Sequence, residues 1–300
     1  MNMDGISRLL TPAEITRLTG LSVGSRFTVE GALQGAHRSL LKGFSLEFAD
    51  YRQYAPGDDL RRLDWRVLGR TDKLYLRQHE QECNLRVHLL VDASRSMAYT
   101  GDPNRPTKYR HAARLAAALA YLTVLQQDSV ALTLFDTRIR HQIPLGGGAE
   151  HLRILANRLA DTEPAAATDI PQTLHGIAGS LRRRALVVIF SDLLDNLETL
   201  RHALAHFRRR HHDVIVYHLL DPAEREFPFR DDVAFEDLET GATLAVDPRE
   251  LRTAYLARMA LFLKECRALT AALNVDYQSV ATDTPPETTL RRHLASRRRR

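Results

Sequence analysis

Leu85-Arg86-Val87-His88-Leu89-Leu90-Val91-Asp92-Ala93-Ser94-Arg95-Ser96-Met97 is the stretch from which the fold can be read. Its first half is a short, apolar, β-branched run, the pattern of a buried strand. The run stops on Asp92, and Ser94 and Ser96 follow at alternate positions. All three then lie in the loop at the strand's carboxyl end, where open parallel α/β sheets place their ligands. One carboxylate and two hydroxyls make half of an all-oxygen site for a hard divalent cation. The plainer reading is an Asp that caps the next helix, with serines filling a polar turn.

Two later stretches extend the pattern. Ala167-Thr168-Asp169-Ile170 precedes a helical spacing of Leu174, Ile177, Ala178 and Leu181, so Thr168 offers a hydroxyl from the loop entering that helix. Ala185 to Asp192 is a second buried-strand run that ends on a carboxylate. Asp92, Ser94, Ser96, Thr168 and Asp192 together resemble the metal-ion-dependent adhesion site of the von Willebrand factor A domain, matching its five metal-binding positions by type and order. The resemblance implies an α/β fold, a doubly wound and mostly parallel sheet flanked by helices, whose first and fourth strands are neighbours. Their connections leave in opposite directions, and the crevice between them is a topological switch point. It further implies a bound Mg²⁺, or Mn²⁺, with an open position for an acidic side chain of a partner protein. Asp169 either hydrogen-bonds such a ligand or caps the following helix. Leu193 stands where that family commonly has glycine.

Composition sets the bounds around this site. Of the 300 residues, 44% are hydrophobic and 26% charged, an ordinary globular balance for one large or two modest domains. Lys plus Arg number 42 against 37 Asp plus Glu, and the excess is matched by the crowded arginines of the chain end, Arg291, Arg292 and Arg297 to Arg300. That segment reads as a basic tail, either an arm for an anionic partner or a solvated terminus. Cys83 and Cys266 are too few and too distant for a disulfide scaffold or a zinc knuckle, which fits a reducing cytoplasm. Charges interrupt Met1 to Leu21, so no signal peptide is read there. The longest apolar stretch, Leu115 to Leu125, falls short of the ~20 residues of a membrane span. A cytoplasmic protein is expected.

The first 84 residues read as an α+β extension. Thr11-Pro12-Ala13-Glu14 opens a short helix with a capping box. Farther on, aromatic residues and opposite charges crowd together between Phe44 and Glu82, with a turn at Pro56-Gly57. The motif Glu-Phe-x-x-x-Arg-x-Tyr-x-Pro-Gly-Asp-Asp-x-Arg-x-x-Asp-Trp, Glu47 to Trp65, resembles the signature of the bacterial family called domain of unknown function 58. That family joins this segment to a von Willebrand A-like domain and is often encoded beside MoxR-type AAA+ ATPases, which the resemblance makes the expected partner. Tyr51, Tyr54 and Trp65 are candidate anchors for it, and Arg61, Arg62 and Arg66 candidate contacts for acidic groups. The alternative is that the aromatics pack inward.

The remaining chain alternates as a doubly wound sheet requires. Helix is expected over Pro106 to Gln127, strand over Ser129 to Phe135, and an edge strand over Arg138 to Leu145, where polar residues alternate with Ile139 and Ile143. The glycine run 146 to 148 lacks the Gly-Lys-Ser/Thr of a phosphate loop and reads as the opening of a helix. His202 and His206 share one face of the Asn196 to Arg210 helix, two ligands for a transition metal that lack a third. A strand follows over Asp213 to Leu219, then an insertion near 224–246 with a hairpin turning at Thr240-Gly241. Asp247-Pro248 then caps a helix to Leu273, and Val275 to Val280 is the last strand. The expected division is 1–84, 85–290 and a tail of 291–300. The expected function is a metal-dependent protein-interaction module that works with the ATPase in assembly or maturation of other proteins. The alternative is a metal-dependent phosphohydrolase of haloacid-dehalogenase type, but the acid that such enzymes carry two positions after the first Asp is here Ser94.

Overall fold

The computed structural model describes residues 5–23, 38–39, 47–53, 67, 74–82, 85–165, 170–229, 233–236 and 243–297. The chain forms two compact units, one of Met1–Arg26 with Leu85–Arg300 and one of Phe27–Asn84. The expected extension therefore divides at Arg26. Residues before it belong to the larger unit because Ile6, Leu9, Leu10, Ile15, Leu18 and Val23 are buried in that unit's core.

In the smaller unit, β1 (Arg38–Ser39), β2 (Glu47–Gln53) and β3 (Tyr75–Glu82) form an antiparallel sheet in the order β1-β3-β2. Tyr51 sits in β2 opposite Arg77, and its side chain lies outside the described residues. Tyr54, Arg61, Arg62, Trp65 and Arg66 also lie outside them.

The larger unit opens with α1 (Pro12–Leu18), whose first turn is closed by the expected capping box between Thr11 and Glu14. Its sheet contains β4 (Arg86–Asp92), β5 (Ser129–Phe135), β6 (Ile139–Gly146), β7 (Leu186–Ser191), β8 (Asp213–Leu220) and β11 (Asp276–Ala281). The order is β11-β8-β7-β4-β5-β6, parallel throughout except for β6, which pairs antiparallel at the edge. Between them run α2 (Lys108–Leu125), α3 (Gly148–Asp161), α4 (Ile170–Ser180), α5 (Leu197–Arg209), the short α6 (Pro222–Glu226), α7 (Pro248–Ala272) and α8 (Pro286–Arg297). A separate hairpin pairs β9 (Val233–Glu236) with β10 (Thr243–Val246), and its expected turn at Thr240-Gly241 lies outside the described residues.

Helices cover both faces of the sheet, which is why β7 and β8 read as unbroken apolar runs and are buried along their whole length. One face packs α2, α3 and α8 through residues such as Leu119, Leu155 and Leu290; the other packs α4 and α5 through Leu174, Leu204 and Phe207. This is a doubly wound α/β sheet. The first strand of the sheet, β4, lies beside the fourth, β7. From β4 the chain crosses to β5 on one side, and from β7 it crosses to β8 on the other. The switch point therefore falls between the carboxyl ends of β4 and β7.

The expected basic tail is corrected in part. Arg291, Arg292 and Arg297 belong to α8, and the Arg297 guanidinium reaches Asp213 at 2.5 Å and Asp276 at 3.0 Å. Ion pairing against the amino ends of β8 and β11 makes this segment part of the fold. The short α6 also escaped the sequence reading, although Asp221-Pro222-Ala223-Glu224 is a capping box. No helix among the described residues is long and apolar enough to cross a membrane.

Candidate functional site at the carboxyl ends of β4 and β7

Asp92 closes β4, and Asp192 follows the last residue of β7. Neighbouring parallel strands in register bring the two carboxylates together, and both are fully buried. Asp92 is held from two sides: the Ser94 amide donates to Oδ1 at 2.9 Å and the Ser191 hydroxyl donates to Oδ2 at 2.7 Å. The Ser94 and Ser96 hydroxyls lie 3.2 Å apart, and Ser96 also donates to Asp192. Asp92, Ser94 and Asp192 are fully buried while Ser96 is half-buried, so the cluster meets solvent on the Ser96 side. The structure thus brings four of the five expected ligands together. Thr168, with Asp169, lies outside the described residues. The chain on either side of them is tied to the cluster's own loops, since the Ala165 amide donates to the Ala93 carbonyl at 3.3 Å and the Ile170 amide donates to Asp195 Oδ2 at 3.1 Å.

The sequence reading missed three polar partners. Ser191 is one. The others are Lys108 in the first turn of α2 and Glu224 in α6: the buried ammonium donates to Asp192 Oδ2 at 2.8 Å and to Glu224 Oε1 at 2.6 Å. Lys108 also sits 5.7 Å from the centre of the Tyr99 ring. Its sequence signal is faint, a lone lysine heading a helix whose next turns are alanine and leucine. Glu224 had a clearer one as the N3 residue of a capping box.

Electrostatics divide the two aspartates. Burial and then the charge of Asp192 push the Asp92 carboxyl up to about 7. Burial acts on Asp192 in the same sense, but the Lys108 charge and hydrogen bonds from Lys108, Ser96 and the Leu194 amide outweigh it and hold Asp192 below the usual carboxylate range. Lys108 is desolvated too, yet its two carboxylate partners keep it protonated. Asp92, Asp192 and Glu224 thus set three carboxylates against one ammonium, a buried surplus of acid.

Leu193, at the position where the resembled family commonly has glycine, adopts the left-handed region at φ 54°. Its side chain is buried in the α4/α5 core and its amide donates to Ser191 Oγ at 3.0 Å. Apolar burial thus holds a conformation that costs about 1–2 kcal/mol for an L-residue. The His202/His206 pair acquires a neighbour in His175, whose ring lies 4.3 Å from that of His206. No three His, Cys, Asp or Glu side chains among the described residues are grouped to hold a metal ion. The cluster at β4 and β7 is of another kind, two carboxylates among hydroxyls.

The chain is 28% identical over 299 residues to an uncharacterized protein of Mycobacterium tuberculosis, Rv1480, covering 96% of this chain and 91% of that protein. An uncharacterized protein of Mycobacterium bovis, Mb1516, matches to the same extent. Among solved structures, an aerotolerance-related membrane protein from Bacteroides fragilis superposes with a TM-score of 0.50 at 17% identity, covering 72% of this chain and all of that one. That likeness is one of fold. The protein BatB from Bacteroides thetaiotaomicron covers the same share at 15% identity with a TM-score of 0.49. The model of the family described as "Protein of unknown function DUF58" matches residues 50–261, most of the chain, and the protein belongs to that family.

Proposed function

We propose that the protein is a metal-dependent protein-interaction module. In this reading Asp92, Ser94, Ser96, Thr168 and Asp192 hold Mg²⁺, or Mn²⁺, and the ion's remaining position takes a carboxylate from a partner protein. The observation that carries the proposal is the pairing of two buried aspartates at a switch point with hydroxyls beside them and a single ammonium against three carboxylates. Such a surplus is relieved by a cation, and an all-oxygen donor set suits a hard one. The bound ion supplies Lewis acidity toward an anionic ligand. The chain's own residues do the positioning: Ser191 and the Ser94 amide orient Asp92, while Lys108 takes up part of the Asp192 charge and leaves the ion less fully neutralised. On the family resemblance, the partner proposed is a MoxR-type AAA+ ATPase acting in assembly or maturation of other proteins.

Titration calorimetry with Mg²⁺ tests the site: binding is expected for the parent chain and none for Asp92→Ala. Pull-downs from cell extract test the function: Asp192→Ala, or added chelator, should remove partners that the parent retains in Mg²⁺. Equal recovery in all three cases overturns metal-bridged recognition.

A further inference from the structure

The end of the larger unit opposite the aspartate cluster carries a basic face to which nothing above gives a role. Two segments meet there, the loop 181–185 before β7 and the end of α5 with residues 210–212 before β8. They lie side by side because the Asp213 amide donates to the Ala185 carbonyl at 3.0 Å and the Arg210 guanidinium donates to the Leu181 carbonyl at 3.1 Å. Arg182, Arg183, Arg184, Arg209 and Arg210 are all exposed on them. Part of this charge is structural. Arg210 closes the loop as described, and Arg208 donates to the Leu273 and His212 carbonyls, as basic residues do at helix carboxyl ends. Arg182, Arg183 and Arg209 have no such duty, since no described carboxylate pairs with them.

Three carboxylates at this end are turned inward, and the exposed Glu150 is taken up by Arg153. Asp213 and Asp276 are buried against Arg297, and buried Asp128 accepts the Leu85 amide at 2.7 Å. Arg182, Arg183 and Arg209 therefore stand at the surface with no described carboxylate paired to them, while Asp92, Asp192, Asp221 and Glu224 gather at the far ends of the strands. On the other face of the sheet but at the same end as the arginines, α2 finishes in Leu125, which is 50% exposed.

We propose that this end is a docking surface for an anionic lipid bilayer. Arginines drawn from two loops with no shared periodicity fit a partner that asks for charge without register, which a planar leaflet does and a helical groove does not. Leu125, on the sheet's other face, gives the same end an exposed apolar side chain, which suits the headgroup boundary. Bound this way, the unit presents the aspartate cluster away from the membrane, toward soluble partners. The proposal stands whether or not the cluster binds metal.

The full chain, with chelator present, is sedimented with vesicles of phosphatidylcholine alone or mixed with phosphatidylglycerol. Binding is expected only to the anionic vesicles, falling as salt is raised. Each arginine near such a surface multiplies partitioning about fivefold, so Arg182→Gln, Arg183→Gln and Arg209→Gln together should weaken it about a hundredfold. The corresponding triple lysine variant should bind like the parent, since charge rather than shape is recognised; because all three sites are exposed, both variants should melt with the parent. Equal binding to neutral and anionic vesicles overturns the proposal, as does a glutamine variant that binds undiminished. Tighter binding to duplex DNA than to the anionic vesicles at the same salt overturns it in favour of nucleic acid.

Discussion

Lys108 is the residue on which the aspartate cluster most depends. An ammonium taken out of water is costly, and two carboxylates at 2.8 and 2.6 Å repay that cost only together. Lys108→Met keeps the stem of the side chain but leaves Asp192 and Glu224 without the cation they share. Removing one partner of a buried pair costs about 3–5 kcal/mol, and denaturant unfolding without metal should show a loss of that size. If the cluster holds a divalent ion, Mg²⁺ should restore more stability to Lys108→Met than it adds to the parent. A variant as stable as the parent would mean that the lysine is incidental.

At the scale of elements, the packing of helices onto strands makes two separate predictions. In α2 the His111 ring is buried with neither nitrogen hydrogen-bonded, and burial, then the nearby Arg114, lower it from 6.5 to about 4, against the opposing charge of Glu14. Above about pH 6.5 the residue is neutral folded or unfolded and adds no pH dependence. Between about 6.5 and 4 the unfolded chain takes up a proton that the folded chain refuses, so stability falls as pH falls. His111→Leu should flatten that slope by up to about 1.4 kcal/mol per pH unit, measured by urea unfolding across the interval. The second prediction concerns the start of α4, which Asp195 holds through the Ile170 amide. Asp195→Ala touches no proposed ligand but frees the helix end that follows Thr168. Mg²⁺ affinity should drop about 10- to 100-fold by calorimetry, as it does when outer supports of metal sites are removed. Unchanged affinity would separate that loop from the site.

The whole molecule is a sheet domain interrupted by a second unit, and the interruption is closed neatly on the domain's side. The Val23 amide donates to Gln126 Oε1 at 2.8 Å and the Leu85 amide donates to Asp128 Oδ1 at 2.7 Å, so both chain ends are pinned to the same turn between α2 and β5. Deleting Phe27–Asn84 and joining the ends through a short glycine-serine linker should leave a domain that unfolds cooperatively, because the described core residues all belong to the larger unit. Circular dichroism and a single melting transition check this. A molten product would mean that the smaller unit completes the core. Pull-downs with the shortened chain then assign partner recognition to one unit or the other.

Much of this was legible in the chain itself. Strand runs ending on Asp92 and before Asp192, the capping box at Thr11 and Glu14, and the Asp247-Pro248 helix start all depend on residues within a turn or a strand of one another. Near-neighbour periodicity and capping reveal such features. The resemblance carried by the aspartates and hydroxyls added the strand order that joins them. Tertiary structure alone decided the partners: Lys108 meets Asp192 across 84 residues and Glu224 across 116, Ser191 meets Asp92 across 99, and Arg297 is drawn from an expected tail to Asp213. The reason is dielectric. A charge in solution is indifferent among neighbours, but once burial strips its water it must be answered by whichever opposite charge the fold carries within reach, and only the packed sheet determines which one that is.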